Sequence, residues 1–163
     1  MKRSASQAAT PALATLASAG VWHRVYEYDH DSATDSYGHE AAQKLGIDPG
    51  RLYKTLIVTT PEGRLANAVL AVAHMLDLKR LAKALDVKSV EMADPKVAQR
   101  KTGYVLGGIS PLGQKSVLPT ILDSSTQDHQ TIWVSGGRRG LSLELQVPDL
   151  VELTQGKTAD IRR

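Results

Sequence analysis

The sequence predicts a single α+β domain, and three patterns point to it. β-rich runs and capped amphipathic segments are interspersed along the chain. Two adjacent apolar runs, Tyr53 to Thr59 and Leu65 to Val72, flank the turn signal Pro61-Glu62-Gly63 and so predict a central hairpin. No internal repeat or linker-like stretch divides the 163 residues, a length that suits one domain.

Residues 1–9 are small and polar and are expected to be a frayed extension, leaving 10–163 as the domain. Thr10-Pro11 has the form of an N-cap followed by Pro in the first turn, Leu13, Leu16 and Ala17 give an apolar stripe, and Gly20 ends the helix. Trp22 to Tyr28 is expected to be a strand with Trp22, Tyr26 and Tyr28 on one face. A short helix follows from about Gly38 to Leu45, closed by Gly46. Asp77 caps an amphipathic helix to Leu85, with Leu78, Leu81, Ala82 and Leu85 inward and Lys79, Arg80 and Lys83 outward. Asp94-Pro95 starts another helix, which Gly103 ends. Beyond the glycine-rich loop Gly107 to Gly113, strands are expected at Thr120 to Asp123, Thr131 to Ser135 and Leu141 to Gln146. In the last, Leu141, Leu143 and Leu145 should face in and Ser142, Glu144 and Gln146 out. Pro148-Asp149 begins a final helix.

Composition excludes several classes of function. The chain has no cysteine, so a disulfide, a thiolate metal site and a cysteine nucleophile are ruled out. The absence is compatible with a reducing compartment. The opening MKRSASQAAT lacks the apolar run of a secretory signal, and no stretch approaches the roughly 18 apolar residues of a membrane span. A soluble cytoplasmic protein is expected. The formal net charge of +3 would assist contact with a polyanion without marking a dedicated nucleic-acid coat.

Two familiar motifs are approached and missed. In GISPLGQKS, Gln114 separates the second glycine from Lys115, and Pro111 removes an N–H from the would-be phosphate cradle. Ser110 lies in G-I-S-P-L-G, one residue too long for a nucleophile elbow. His23, His30, His39, His74 and His129 show no metal-binding spacing, so no metal and no cofactor are expected. Three features remain. Lys54 interrupts an apolar strand, where it can line a cleft or snorkel from a sheet edge. The loop GGISPLG suits an oxyanion hole, a phosphate grip or an ordinary tight connection. SGGRRG, Ser135 to Gly140, offers Arg138 and Arg139 to a phosphate or carboxylate, or is an exposed hairpin turn.

Six segments in order carry a resemblance: YKTL from Tyr53, LDLKRLAKAL from Leu76, VEMADPKVAQRKTGY from Val90, GGISPLGQK from Gly107, LPTILD from Leu118 and VSGGRRG from Val134. With these the chain resembles the YbaK/EbsC family, Cys-tRNA(Pro) deacylases related to editing domains associated with prolyl-tRNA synthetase. The resemblance implies a mixed, barrel-like sheet flanked by helices. It also implies trans-editing: removal of a mischarged amino acid, cysteine on tRNA(Pro) first of all, from the tRNA 3′ end, with prolyl-tRNA synthetase as a possible partner. Alternatives are a deacylase for another small amino acid such as alanine, or a non-catalytic module binding tRNA or the synthetase. By position, Lys54 is the family's key lysine, Tyr28 a pocket tyrosine, and Gly107 and Gly108 the loop facing the scissile carbonyl. Ser110, Ser135 and Gly136 fall in the matching glycine loops. Relatives often carry Asp where this chain has Ser142, while Glu144 on the same strand face is retained.

Overall fold

The computed structural model describes residues 10–163 and has five α-helices and eight strands among them. The expected frayed extension over residues 1–9 lies outside the described residues. In chain order the elements are α1 (Pro11–Ala19), β1 (His23–Glu27), α2 (Tyr37–Leu45), β2 (Tyr53–Thr59), β3 (Leu65–Ala71), α3 (Leu78–Leu85), β4 (Glu91–Met92), α4 (Pro95–Thr102), β5 (Thr120–Asp123), β6 (Thr131–Ser135), β7 (Leu141–Gln146), α5 (Val147–Thr154) and β8 (Lys157–Ala159). A 3₁₀ turn, Ser124–Asp128, follows β5.

Local chemistry sets the helix ends. The Thr10 side chain accepts the Leu13 N–H at the start of α1, Asp77 accepts from Lys79 and Arg80 at α3, and Asp94 accepts from Lys96 at α4. α3 departs from expectation on one face: Leu81 and Ala82 are buried, but Leu78 is 36% exposed and Leu85 half-buried.

The strands form two sheets rather than the one barrel-like sheet implied by the resemblance. One has the order β1-β7-β6 and is antiparallel. The other has the order β4-β2-β3-β5-β8, with the β2–β3 hairpin antiparallel and β5 and β8 added in parallel. They meet at a bridge between Leu52 and Trp133, where Trp133 N–H donates to the Arg51 carbonyl at 3.0 Å. Among the described residues these strands do not close a barrel, because β4 and β8 end one sheet and β1 ends the other.

The main core gathers Leu13 and Leu16 of α1, Tyr53 and Ile57 of β2, Leu122, Ile132, and Leu141, Leu143 and Leu145 of β7. The outward face expected for β7 is also buried: Ser142 is 2% and Glu144 9% exposed. That face is covered by side chains of the flanking strands: Tyr26 of β1 and Thr131 of β6 both donate to the Glu144 carboxylate. No helix is long and apolar enough to cross a membrane among the described residues.

Candidate active site

A cavity of about 300 Å³ opens where the two sheets meet. Its wall contains Tyr28, just past β1; Tyr37 and Ala41 of α2; Lys54, Thr55 and Leu56 of β2; and Ser135, Leu141 and Ser142 of the β6–β7 hairpin. The Leu106-Gly107 turn closes one side. α2 can lie this close to the end of β3 because residue 38 is glycine: a Cβ there would fall 2.7 Å from Val72 Cγ2.

Lys54 lines the cavity from near the open end of the hairpin, opposite Leu70. Its ammonium donates to the His74 carbonyl at 2.8 Å and makes no ion pair among the described residues. Burial pushes its pKa below the usual lysine value, since little compensates the desolvated charge. Such an ammonium is available to an anionic or carbonyl ligand. The next residue, Thr55, also lines the cavity, and its Oγ1 is buried with no hydrogen-bond partner among the described residues.

Another part of the wall is a tight turn, Val105 to Gly108, closed by the Gly108 N–H on the Val105 carbonyl at 2.9 Å. Gly107 has φ +81°, the value a type II turn requires at its third residue and glycine adopts without penalty. The Gly107 N–H has no partner among the described residues. The Gly108 N–H is already committed, and Gly108 does not line the cavity.

The remaining expected residues divide in the same way. Tyr28, Ser135 and Ser142 line the cavity. Burial chiefly raises the Tyr28 pKa, a backbone hydrogen bond with Gly140 opposes it, and the Glu40 charge adds to it. The phenol therefore stays neutral at physiological pH. Ser110 lies outside the cavity wall and is fully buried, its hydroxyl accepting the Leu112 N–H at 3.3 Å. Gly136 closes the hairpin through the Leu141 carbonyl at 2.8 Å. Glu144 also lies outside, accepting from Tyr26 at 3.3 Å and Thr131 at 2.7 Å. Arg138 pairs with Glu27 at 2.9 Å. The sequence reading missed Tyr37 and Thr55. Thr55 had a visible signal, a second polar residue directly after Lys54 in an apolar strand, whereas Tyr37 had none.

Glu40, a buried carboxylate of α2, ties the segment after Tyr28 to that helix. It lies 2.7 Å from His30 Nδ1, accepts the Asp31 N–H at 2.7 Å and lies 3.6 Å from Lys44. Burial alone would raise its pKa, but the bonds from His30 and Asp31 and the adjacent positive charges outweigh that and lower it.

Comparison with known proteins gives the family. Residues 31–153 match the model of the aminoacyl-tRNA editing domain family. The chain belongs to that family, and its class is aminoacyl-tRNA deacylase. Within it, the chain is similar to an Enterococcus faecalis protein named "Putative Cys-tRNA(Pro)/Cys-tRNA(Cys) deacylase EbsC", at 37% identity over 99% of this chain and 98% of that one. The fold matches a crystal structure described as "a putative trans-editing enzyme for prolyl tRNA synthetase", with a TM-score of 0.84 at 24% identity over 99% of both chains. It also matches that of "hypothetical protein APE2540", with a TM-score of 0.81 at 24% identity over 91% of this chain and 96% of that one.

Proposed function

We propose that the chain acts in trans to clear cysteine wrongly attached to tRNA(Pro). One observation carries this reading: Lys54 and Gly107, whose N–H has no partner among the described residues, line the same cavity of about 300 Å³. That volume is at the small end of ligand sites, roughly 300–1,000 Å³, and suits an aminoacyl group with part of its ribose.

The ester carbonyl lies against the Gly107 N–H, which donates to the oxyanion of the tetrahedral intermediate and so stabilises its charge. A donor of this kind is worth roughly 2.7–4 kcal/mol. Lys54 holds the substrate through charge-assisted hydrogen bonding. Among the described residues no histidine or carboxylate lines the cavity to activate a hydroxyl, and the chain has no cysteine. The nucleophile is therefore assigned to the substrate's own thiol. Its sulfur bonds to the carbonyl carbon, the ester C–O bond breaks, and the thiol proton ends on the departing ribose hydroxyl. The amino acid leaves as a cyclic thiolactone. The protein's contribution is orientation, which can supply roughly 7–11 kcal/mol.

A second reading uses water in place of the thiol. The Ser135 and Ser142 hydroxyls in the wall could hold one, and that route would admit alanine and serine. The cavity accommodates only the aminoacyl end, so selection of tRNA(Pro) falls to a partner. Prolyl-tRNA synthetase is the proposed one, in the cytoplasm. The test is multiple-turnover deacylation of Cys-, Ala- and Ser-charged tRNA(Pro), with and without the synthetase. The thiol route predicts that Cys-tRNA(Pro) is cleared and the other two are spared. Equal rates on all three would refute it, and no turnover at all would leave a binding module.

A further inference from the structure

The turn that carries the Gly107 amide is held by side chains from two other parts of the fold. Gln99 Oε1 of α4 accepts the Leu106 N–H at 2.9 Å. Arg139, from the β6–β7 hairpin loop, donates its Nε–H to the Leu106 carbonyl at 2.7 Å. The guanidinium carbon also lies 4.7 Å from the centroid of the Tyr37 ring. That ring is packed so closely on the turn that a Cβ on Gly107 would fall 2.4 Å from Tyr37 Cγ.

The Leu106 carbonyl and the Gly107 N–H belong to one peptide unit, which is planar and trans. Its two polar groups point in opposite directions. Fixing the carbonyl on Arg139 therefore fixes the N–H on the other side. A cation at the carbonyl oxygen also polarises the unit and makes the N–H a stronger donor. Arg139 does not line the cavity and makes no ion pair among the described residues.

We propose that Arg139 is a positioning residue that orients and polarises the Gly107 amide from behind, with Tyr37 as the surface on which its guanidinium is stacked. The proposal rests on the reading of Gly107 as the oxyanion donor. It gives the second arginine of SGGRRG a task distinct from that of the first, which pairs with Glu27.

The experiment compares Arg139→Ala and Arg139→Lys with the wild type, using Cys-tRNA(Pro) and following kcat and KM separately. Lysine keeps the charge but loses the planar fork. Outright loss of an oxyanion donor costs roughly 10²–10³ in kcat, so a misdirected donor should cost about tenfold or more, with KM unchanged. A small guanidinium ion should restore part of the Arg139→Ala rate and nothing in Lys54→Ala. In parallel, the Gly107 amide resonance should shift and its exchange accelerate in both Arg139 variants, with no substrate present. A folded Arg139→Ala protein with wild-type kcat would overturn the proposal, as would a rise in KM at constant kcat, the sign of direct substrate contact. If the wild type clears no aminoacyl-tRNA, the functional reading fails on its own. The Gly107 resonance then decides the clamp: a shift supports it, and no change overturns it.

Discussion

Lys54→Met separates what the lysine does for the fold from what it does for the substrate. Methionine keeps the unbranched stem and removes the ammonium. The folded protein loses one charged hydrogen bond, to the His74 carbonyl, and is relieved of a partly desolvated charge. The bond is worth about 1.5–3 kcal/mol, and the relief opposes it, so stability should change by less than the bond alone. The pH dependence gives the sign. Folding lowers this pKa, so the unfolded chain binds more protons between the lowered value and 10.5. The charge penalty is full at neutral pH and fades as pH rises through that interval. Relative to wild type, Lys54→Met should therefore be at its best at neutral pH and lose ground in alkaline solution. Deacylation should respond oppositely. Losing one charged hydrogen bond to the substrate, again about 1.5–3 kcal/mol, lowers kcat/KM by roughly 10–160-fold. Urea unfolding across pH and deacylation of Cys-tRNA(Pro) measure the two effects. A folded variant with wild-type kcat/KM would refute the substrate role. A stability difference that grows more favourable with rising pH would refute the assignment of the lowered pKa.

Three further substitutions probe the cavity. Gly107→Ala places a methyl against Tyr37 at a left-handed φ, which costs about 1–2 kcal/mol from backbone strain before the clash is counted; thermal unfolding should show the loss and deacylation should fail. Thr55→Val removes a buried hydroxyl that has no partner among the described residues, so stability should rise by about 1 kcal/mol while turnover falls if that hydroxyl meets the substrate; unchanged turnover would exclude the contact. Glu40→Gln should cost about 1–3 kcal/mol at neutral pH by weakening the bonds to His30 and Asp31. Because the Glu40 pKa is lowered by folding, its contribution is present above 4.5 and lost as pH falls through the folded value, so wild type and variant should converge in acid.

Much of this was legible residue by residue. The N-caps at Thr10, Asp77 and Asp94, the central hairpin and the strands at 120–123, 131–135 and 141–146 follow from local patterning, and the structure has them at those positions. The two-residue β4 and the three-residue β8 were not legible, because each is too short to show a period and forms only by pairing with an existing edge. The split into two sheets was equally hidden, since strand order depends on contacts between distant segments. The outward assignment of Ser142 and Glu144 failed for a related reason: alternation reports which face is more apolar, and a central strand can be covered on both.

At the site, the sequence by itself determined the ingredients: a lysine in an apolar strand, a glycine-rich turn and a hairpin rich in arginine. Their order along the chain was enough to suggest a family. Only the tertiary structure decided which of them meet. It brings Lys54, Gly107, Ser135 and Ser142 to one cavity and leaves Ser110 and Glu144 bonded elsewhere. It also leaves the Gly107 amide without a partner among the described residues while the Gly108 amide closes the turn. The physical reason is that a backbone N–H carries no sequence signature of its own. Whether it is spent inside the fold or kept for a substrate is settled by the groups packed around it.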